Sequence, residues 1–357
     1  MIKKEIKVLL TFDYELPLGG VSNYQHGLFD PADKLIARAN HLHIPIVLFT
    51  DICSAIRFKE WDYQGYYLPF RDQVHRAIKS GHDVQLHIHP HWMTSHYQDG
   101  NYIPSTDFSL SNFASTHEGF TLEAIIKHAY SELLAMGREV DPHYACVAFR
   151  AGGYDVEPES KRILTALNSL GVKIDSSVIK EFYLDYSFSK VDYTHSPAPS
   201  SWFVSTEGPL LKQASAGLLE LPISSKPTSA FDIMSRRLKK IINRKNYASR
   251  IYRNSGKGFL LTQGKQSLQS KLKKITNPLV LSLDREYVEC VDLMSIVDYN
   301  IEQYANEPGD LILTAIGHPK SMGIYHVDLM EEFVLKLRER FKDKVSFVSY
   351  QDIVKKR

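Results

Sequence analysis

Three histidines alternate with other residues in "DVQLHIHPHW" (83–92), at the end of a strand-like run. Imidazole is a common ligand for zinc and other late first-row metals. His87 and His91 are four apart, and a strand that turns at Pro90 can aim both rings at one point, with His89 between them. Further ligands would have to come from elsewhere in the chain. "LLTFDYE" places Asp13 and Glu15 two residues apart at the end of an apolar run, on one side of an extended backbone. Two carboxylates this close repel each other unless a cation sits with one and an arginine with the other. "YACVAFRAGGYD" offers an arginine, Arg150, followed by a Gly-Gly-Tyr turn at Gly153 and Tyr154 whose backbone can approach a ligand and expose N–H groups. "LTAIGHPK" puts His318 directly after an apolar strand, where a buried position would normally be apolar.

The elements that must carry these residues are legible as alternating patterns. Strand-like runs at 6–13, 44–50, 82–88, 144–150, 172–178, 310–318 and 345–350 are separated by amphipathic stretches at 30–42, about 70–80, 121–137, about 157–170 and about 325–341. "GLLELPI" and "PLVLSL" add two more strand-like runs. In "DPADKLIARANHL" Asp30 suits a cap, Pro31 the first helical position, and Leu35, Ile36, Ala39 and Leu42 share a face. Such alternation predicts an α/β fold with a parallel sheet or barrel, in which reacting groups collect at the C-terminal ends of the strands. Asp13, Glu15, His87, Arg150, Asp175 and His318 all fall at such ends, a pattern that packing does not explain. Residues 92–118, opening on Trp92, are too long and polar for a simple connection and are expected to lie on the substrate side.

The ordered set "TFDYE", "HIHPH", "FRAGGY", "KIDSSV" and "GHPKS" resembles the polysaccharide deacetylase (NodB-homology) family of carbohydrate esterases, over roughly residues 5–350. The resemblance implies a distorted (β/α) barrel of about seven strands, one catalytic domain spanning 1–357. It makes Asp13 the general base, Arg150 the arginine that orients it, and His318 the general acid. Many members carry a metal-binding Asp immediately after the base. Here that residue is Tyr14, so the match is to the D-x-D/E branch, with Glu15 as the carboxylate ligand. His87 and His91 fit the H-x-x-x-H metal pair, which leaves His89 a lining role. Glycines stand after Arg150 where the family usually has prolines. Gly153 and Tyr154 then supply the oxyanion donor, and Asp175 has a structural or substrate-lining role. The implied cofactor is Zn²⁺ or another divalent first-row metal, and the implied substrate an N-acyl amino sugar, nucleotide- or lipid-linked. Two histidines and a carboxylate also describe the facial triad of non-haem iron oxygenases, but that chemistry leaves Asp13, Arg150 and His318 without roles. A protein of this fold that binds a glycan or partner enzyme without catalysis would be expected to lack one of these groups.

The composition is that of an ordinary globular chain, 43% hydrophobic and 24% charged over 357 residues. Cys53, Cys146 and Cys290 are widely spaced, so no disulfide framework is implied. No run approaches the about 20 apolar residues of a spanning helix, and the charged N-terminus lacks a signal-peptide pattern; a cytoplasmic location is expected. The formal net charge of +2 hides an asymmetry. Residues 225–275 hold 14 Lys+Arg and one Asp, so the remainder holds 29 Lys+Arg and 40 Asp+Glu. Within this basic insertion, 232–257 reads as an amphipathic helix suited to an anionic membrane surface or to the phosphates of a nucleotide sugar. Nucleic acid is not expected, since no stacking platform accompanies the charge.

Overall fold

A strand covered on both faces reads as a continuous apolar run, and Ile6–Tyr14 is buried at every position. The computed structural model describes residues 4–17, 23–186, 189–242 and 277–356. Its main sheet contains β1 (Ile6–Tyr14), β2 (Val47–Asp51), β3 (Asp83–Ile88), β4 (Ala148–Ala151), β5 (Ile174–Asp175), β6 (Trp202–Val204), β7 (Gln213–Ala214), β8 (Leu218–Glu220), β9 (Leu311–Gly317) and β10 (Val345–Phe347). The order is β7-β6-β8-β5-β4-β3-β2-β1-β9, with β10 against the start of β1.

The extension of β8 turns this sheet into a barrel. Leu221 and Ile223 donate to Asp175 and Val178 on one side, and Ser224 N donates to Thr314 O of β9 on the other (2.9 Å). Thr314 N returns a bond to Ser224 Oγ at 3.0 Å. The ring therefore closes through β1, β2, β3, β4, β5, β8 and β9, the seven-stranded distorted barrel that the sequence leads one to expect. Strands β6 and β7 are antiparallel additions at its margin.

Helices α1 (Asp30–His41), α2 (Ile52–Trp61), α3 (Leu68–Lys79), α4 (Leu122–Arg138) and α5 (Ser160–Ser169) cover the ring, followed by α6 (Ala230–Ile242), α7 (Cys290–Gln303), α8 (Ile324–Phe341) and α9 (Tyr350–Lys355). The expected stripe of α1 is the one it buries, Leu35, Ile36 and Ala39 included. Helix α4 starts where Thr121 Oγ1 accepts from Ala124 N. Three helices escape the sequence reading. Helix α2 begins directly after β2, with no loop signal between them, and α7 and α9 start at capping boxes set by Glu289 and Ser349. The 92–118 stretch is more ordered than an open loop. It holds a 3₁₀ turn at Pro90–Thr94, a hairpin of His96–Gln98 with Asn101–Ile103, and a second 3₁₀ turn at Leu110–Phe113, and it buries Trp92, Tyr102, Phe108 and Phe113. Of the basic helix expected over 232–257, residues 232–242 lie in α6 and the rest fall outside the described residues.

Candidate metal and acid–base site

Parallel register lines up one row of strand ends. Asp51 of β2 pairs with His87 of β3, and His87 with Arg150 of β4. Asp13 and Glu15 arrive from β1, and His318 follows β9. Arg150 is fully buried, and its Nη1 donates to Asp13 Oδ1 at 2.6 Å. The rest of the guanidinium is also spoken for: Nε donates to Ser176 O (2.9 Å), Nη2 meets Ser176 Oγ (3.2 Å), and the plane lies 4.1 Å from the Phe49 ring centroid. One oxygen of Asp13 is thus held by a charge-assisted bond, while the other faces His318 Nε2 at 3.5 Å and His87 Nε2 at 4.0 Å.

Glu15 is buried among four partners. Lys320 Nζ lies 2.8 Å from Oε1, His89 Nε2 contacts Oε2, His87 Nε2 is 3.7 Å from Oε2, and His318 Nε2 is 3.8 Å from Oε1. Burial alone would raise its pKa, but Lys320 and the histidines outweigh it and hold the carboxyl well below the usual range. For His87, burial favours the neutral ring, yet Asp13 and Glu15 prevail and its pKa is raised.

The ligand atoms of Glu15, His87 and His89 lie within 4.8 Å of one another, as do those of Asp13, Glu15 and His318. These residues fit a metal ion. His87 Nδ1 is satisfied by Arg150 O at 2.8 Å, which fixes Nε2 as the ring's open ligand atom, and that atom is buried with no hydrogen-bond partner among the described residues.

The histidine pair differs from the one expected. His91 is not in the Glu15 cluster. The backbone stays extended through His89 (φ −106°, ψ 96°) before the 3₁₀ turn begins at Pro90. Period-two geometry therefore brings His89, not His91, to the side of His87. His91 turns instead against Trp92 and Phe108, with ring centroids 4.8 Å from each. Both its ring nitrogens are buried without hydrogen-bond partners among the described residues, and burial, then the neighbouring His89, pushes its pKa well below the usual value. Trp92 is likewise removed from a substrate-lining position. It is 1% exposed, and its indole N–H donates to Asp51 Oδ2 at 2.6 Å.

The Gly-Gly turn has a steric cause. A Cβ on Gly152 would stand 2.6 Å from Ile88 O and 2.7 Å from His89 Nδ1, so only glycine lets this turn pass His89. Gly153 (φ 62°) and Tyr154 (φ 64°) are both left-handed. For Tyr154 that conformation costs about 1–3 kcal/mol, and the Tyr193 hydroxyl holds it by donating to Tyr154 O. Asp175 is completely buried and faces Glu220 on β8, its register partner, rather than the Glu15 cluster.

Three residues of the site went unread in the sequence. Asp284 Oδ2 meets His318 Nδ1 at 2.7 Å. Burial would lower the His318 pKa, but Asp284, then Asp13 and Glu15, raise it to about 9. Asp51 ties down the 89–92 turn through His89 N and Trp92 Nε1. Lys320 sits against Glu15. Each had a signal: "LVLSLD" and "IVLFTD" repeat the apolar-run-then-Asp pattern of "LLTFD", and Lys320 lies two residues past His318 in "GHPKS".

No protein-family model matches the chain, and no curated protein does. Solved structures do share its fold. A protein from Parabacteroides distasonis described as a glycoside hydrolase/deacetylase superposes with a TM-score of 0.51 at 16% identity, covering 98% of this chain and 70% of that one. The 4-alpha-glucanotransferase of Thermococcus litoralis gives 0.50 at 9% identity over 99% of this chain and 41% of its own. A peptidoglycan N-acetylglucosamine deacetylase gives 0.40 at 11% identity over 98% and 92%. The chain thus shares its distorted barrel fold with the glycoside hydrolase/deacetylase and the glucanotransferase.

Proposed function

We propose that the protein is a metal-dependent hydrolase that removes an N-acyl group, acetyl or formyl, from an amino sugar in cytoplasmic surface-polysaccharide or glycolipid synthesis. The observation that carries this reading is the placement of Asp13. One oxygen is bonded to buried Arg150 and the other faces His318, beside the group of Glu15, His87 and His89. Base, acid and a cation-ready cluster converge on one point, as amide hydrolysis requires.

Glu15, His87 and His89 would hold the metal, most simply Zn²⁺ given its nitrogen and oxygen donors. Such an ion, when bound, acidifies a water and polarises a carbonyl. Asp13 accepts a proton from the attacking water, and Arg150 keeps that carboxylate aimed through its charge-assisted bond. A backbone N–H of the strained Gly153–Tyr154 turn donates to the oxyanion. His318 gives its Nε2 proton to the departing amine, with Asp284 fixing the ring through Nδ1. Water adds to the acyl carbon, the C–N bond breaks, and a carboxylate and an amine leave. Access comes from the His318 side, where the imidazole is 20% exposed while Asp13 is 3%. A nucleotide- or lipid-linked sugar suits a site opening on this face, and the three buried, unpaired cysteines suit a reducing compartment.

The test is release of acetate or formate from N-acyl amino sugars by protein loaded with Zn²⁺. Asp13→Asn and His318→Ala should each abolish it. Release that survives both substitutions would remove the assignment, and a purified protein that takes up no stoichiometric metal would favour a binding protein of this fold.

A further inference from the structure

Helix α6 is built inside out. An ordinary surface helix turns its apolar stripe to the core. In α6 five large apolar side chains point to solvent: Phe231 is 72% exposed, Met234 65%, Leu238 56%, Ile241 76% and Ile242 66%. At 100° per residue these five fall within an arc of roughly 100°. The face toward the protein carries one large apolar side chain, Ile233, half-buried over a cavity shared with Leu279, Val280 and Ile296, and is otherwise polar and pinned by ions. Asp232 meets Lys226 Nζ at 3.2 Å and accepts from Ser229 N and Oγ, and Lys239 Nζ reaches Glu289 (2.7 Å) and Asp292 (2.8 Å) at the start of α7. These contacts fix the helix in the orientation that exposes its apolar stripe.

Charge complementarity selects the occupant of that stripe. Arg237 and Lys240 are exposed on α6, and residues 243–276, which follow it, contain nine Lys+Arg and no Asp or Glu. Covering the stripe with that segment, or with a second α6, would bring like charges together. An anionic surface with an apolar interior answers both features at once. At 13 residues α6 is too short to span a bilayer, and among the described residues no helix is long and apolar enough to do so.

We propose that α6 docks the protein onto an anionic lipid surface, its apolar stripe entering the headgroup boundary and its flanking cations meeting lipid phosphates. The C-terminal half of the helix is bound to the 287–292 segment, with Lys240 Nζ 5.9 Å from the Tyr287 ring centroid. Asp284, which holds His318, lies three residues before Tyr287. Docking would therefore hold the catalytic histidine near the surface, where a lipid-anchored amino sugar resides. That last consequence rests on the hydrolase reading; the docking itself does not.

The experiment is co-sedimentation of the full chain with phosphatidylcholine vesicles, with and without phosphatidylglycerol. The protein should pellet with the anionic vesicles and stay in solution with the neutral ones, and added salt should release it. The double variant Leu238→Glu/Ile241→Glu should bind at least about tenfold more weakly, while acyl release from a water-soluble sugar is unchanged. That second readout separates failure of docking from failure of the catalytic assignment. Wild-type protein that ignores anionic vesicles, or a double variant that binds as well as wild type, would overturn the proposal. So would a wild-type oligomer that the double variant converts to monomer, or a Met234→Cys crosslink to residues 243–276 that persists on vesicles.

Discussion

Two pairs of carboxylates sit at strand ends of the same barrel, both almost wholly removed from water, and they are held in opposite ways. Asp13 and Glu15 end β1 facing cations: Arg150 for one, Lys320 and the histidines for the other. Asp175 and Glu220 end β5 and β8 facing each other, and burial, joined for Glu220 by its neighbour's charge, raises the pKa of both. Arg150 lies between the pairs but spends its Nη1 on Asp13 and its remaining donors on Ser176. Burial is common to the two pairs; the neighbouring charge differs, holding the Glu15 carboxyl well below its usual range and pushing Glu220 well above it. The first pair is the one the proposed hydrolysis uses, and the second is buried inside the wall with both carboxyls raised in pKa.

The comparison breaks most violently at Arg150. Arg150→Met should leave Asp13 buried without its cation, lowering stability by about 3–5 kcal/mol and kcat by about 10²–10⁴-fold. Calorimetric melting alongside acyl-release kinetics would check both. A variant that melts lower but keeps full turnover would make Arg150 a structural cation only. Next in size is the metal. His87→Ala and His89→Ala should each lose stoichiometric zinc by elemental analysis after dialysis, whereas His91→Ala should retain it, because His91 packs on Trp92 and Phe108 instead. Retention by His89→Ala with loss by His91→Ala would restore the four-residue spacing as the ligand pattern.

A smaller effect is expected at Asp284. It is the strongest influence raising the His318 pKa to about 9. If His318 is the acid of the proposed hydrolysis it serves only while protonated, so activity should fall as pH rises through that value. Asp284→Asn removes the support, and the alkaline limb of the kcat profile should move toward lower pH. An unmoved limb, with kcat merely reduced, would mean that Asp284 orients the ring without tuning it.

Much of this arrangement could be read before the fold was known, and the misses have physical causes. Asp13, Glu15, His87, Arg150 and His318 were legible because a polar residue at the end of a doubly covered strand has no packing reason to be there. His91 was chosen over His89 by expecting the turn at Pro90 to swing its ring back beside His87. The turn does begin at Pro90, but it carries His91 against Trp92 and Phe108, while strand alternation leaves His89 beside His87. Asp284 was overlooked although "PLVLSL" reads as a strand, because that reading stops one residue short of it; the segment reaches β9 through single bonds such as Leu283 N to Ile316 O (2.7 Å). The orientation of α6 could not be read from its amphipathic pattern, since periodicity defines two faces without saying which one the ion pairs turn inward.

The inner pair supplies the finest test. Glu220→Gln keeps the shape of the side chain, retains an oxygen to accept from Val178 N (3.2 Å in the native chain), and offers Asp175 an amide N–H in place of a shared proton. Turnover should stay within about threefold, because Glu220 touches neither Asp13 nor the histidines and such swaps satisfy rather than strand a buried group. The sign of the pH effect follows from the raised pKa. In the unfolded chain Glu220 loses its proton near pH 4.3, while in the fold it keeps it to much higher pH. Above about pH 4 the native state thus binds more protons than the unfolded one, and stability falls as pH rises. The Gln variant lacks that slope, so its stability relative to the parent should grow from pH 5 toward pH 8 in parallel denaturant titrations. A constant difference across that range would show that Glu220 is ionised in the fold. Arg150 would then serve both pairs, and the contrast between them would be one of degree.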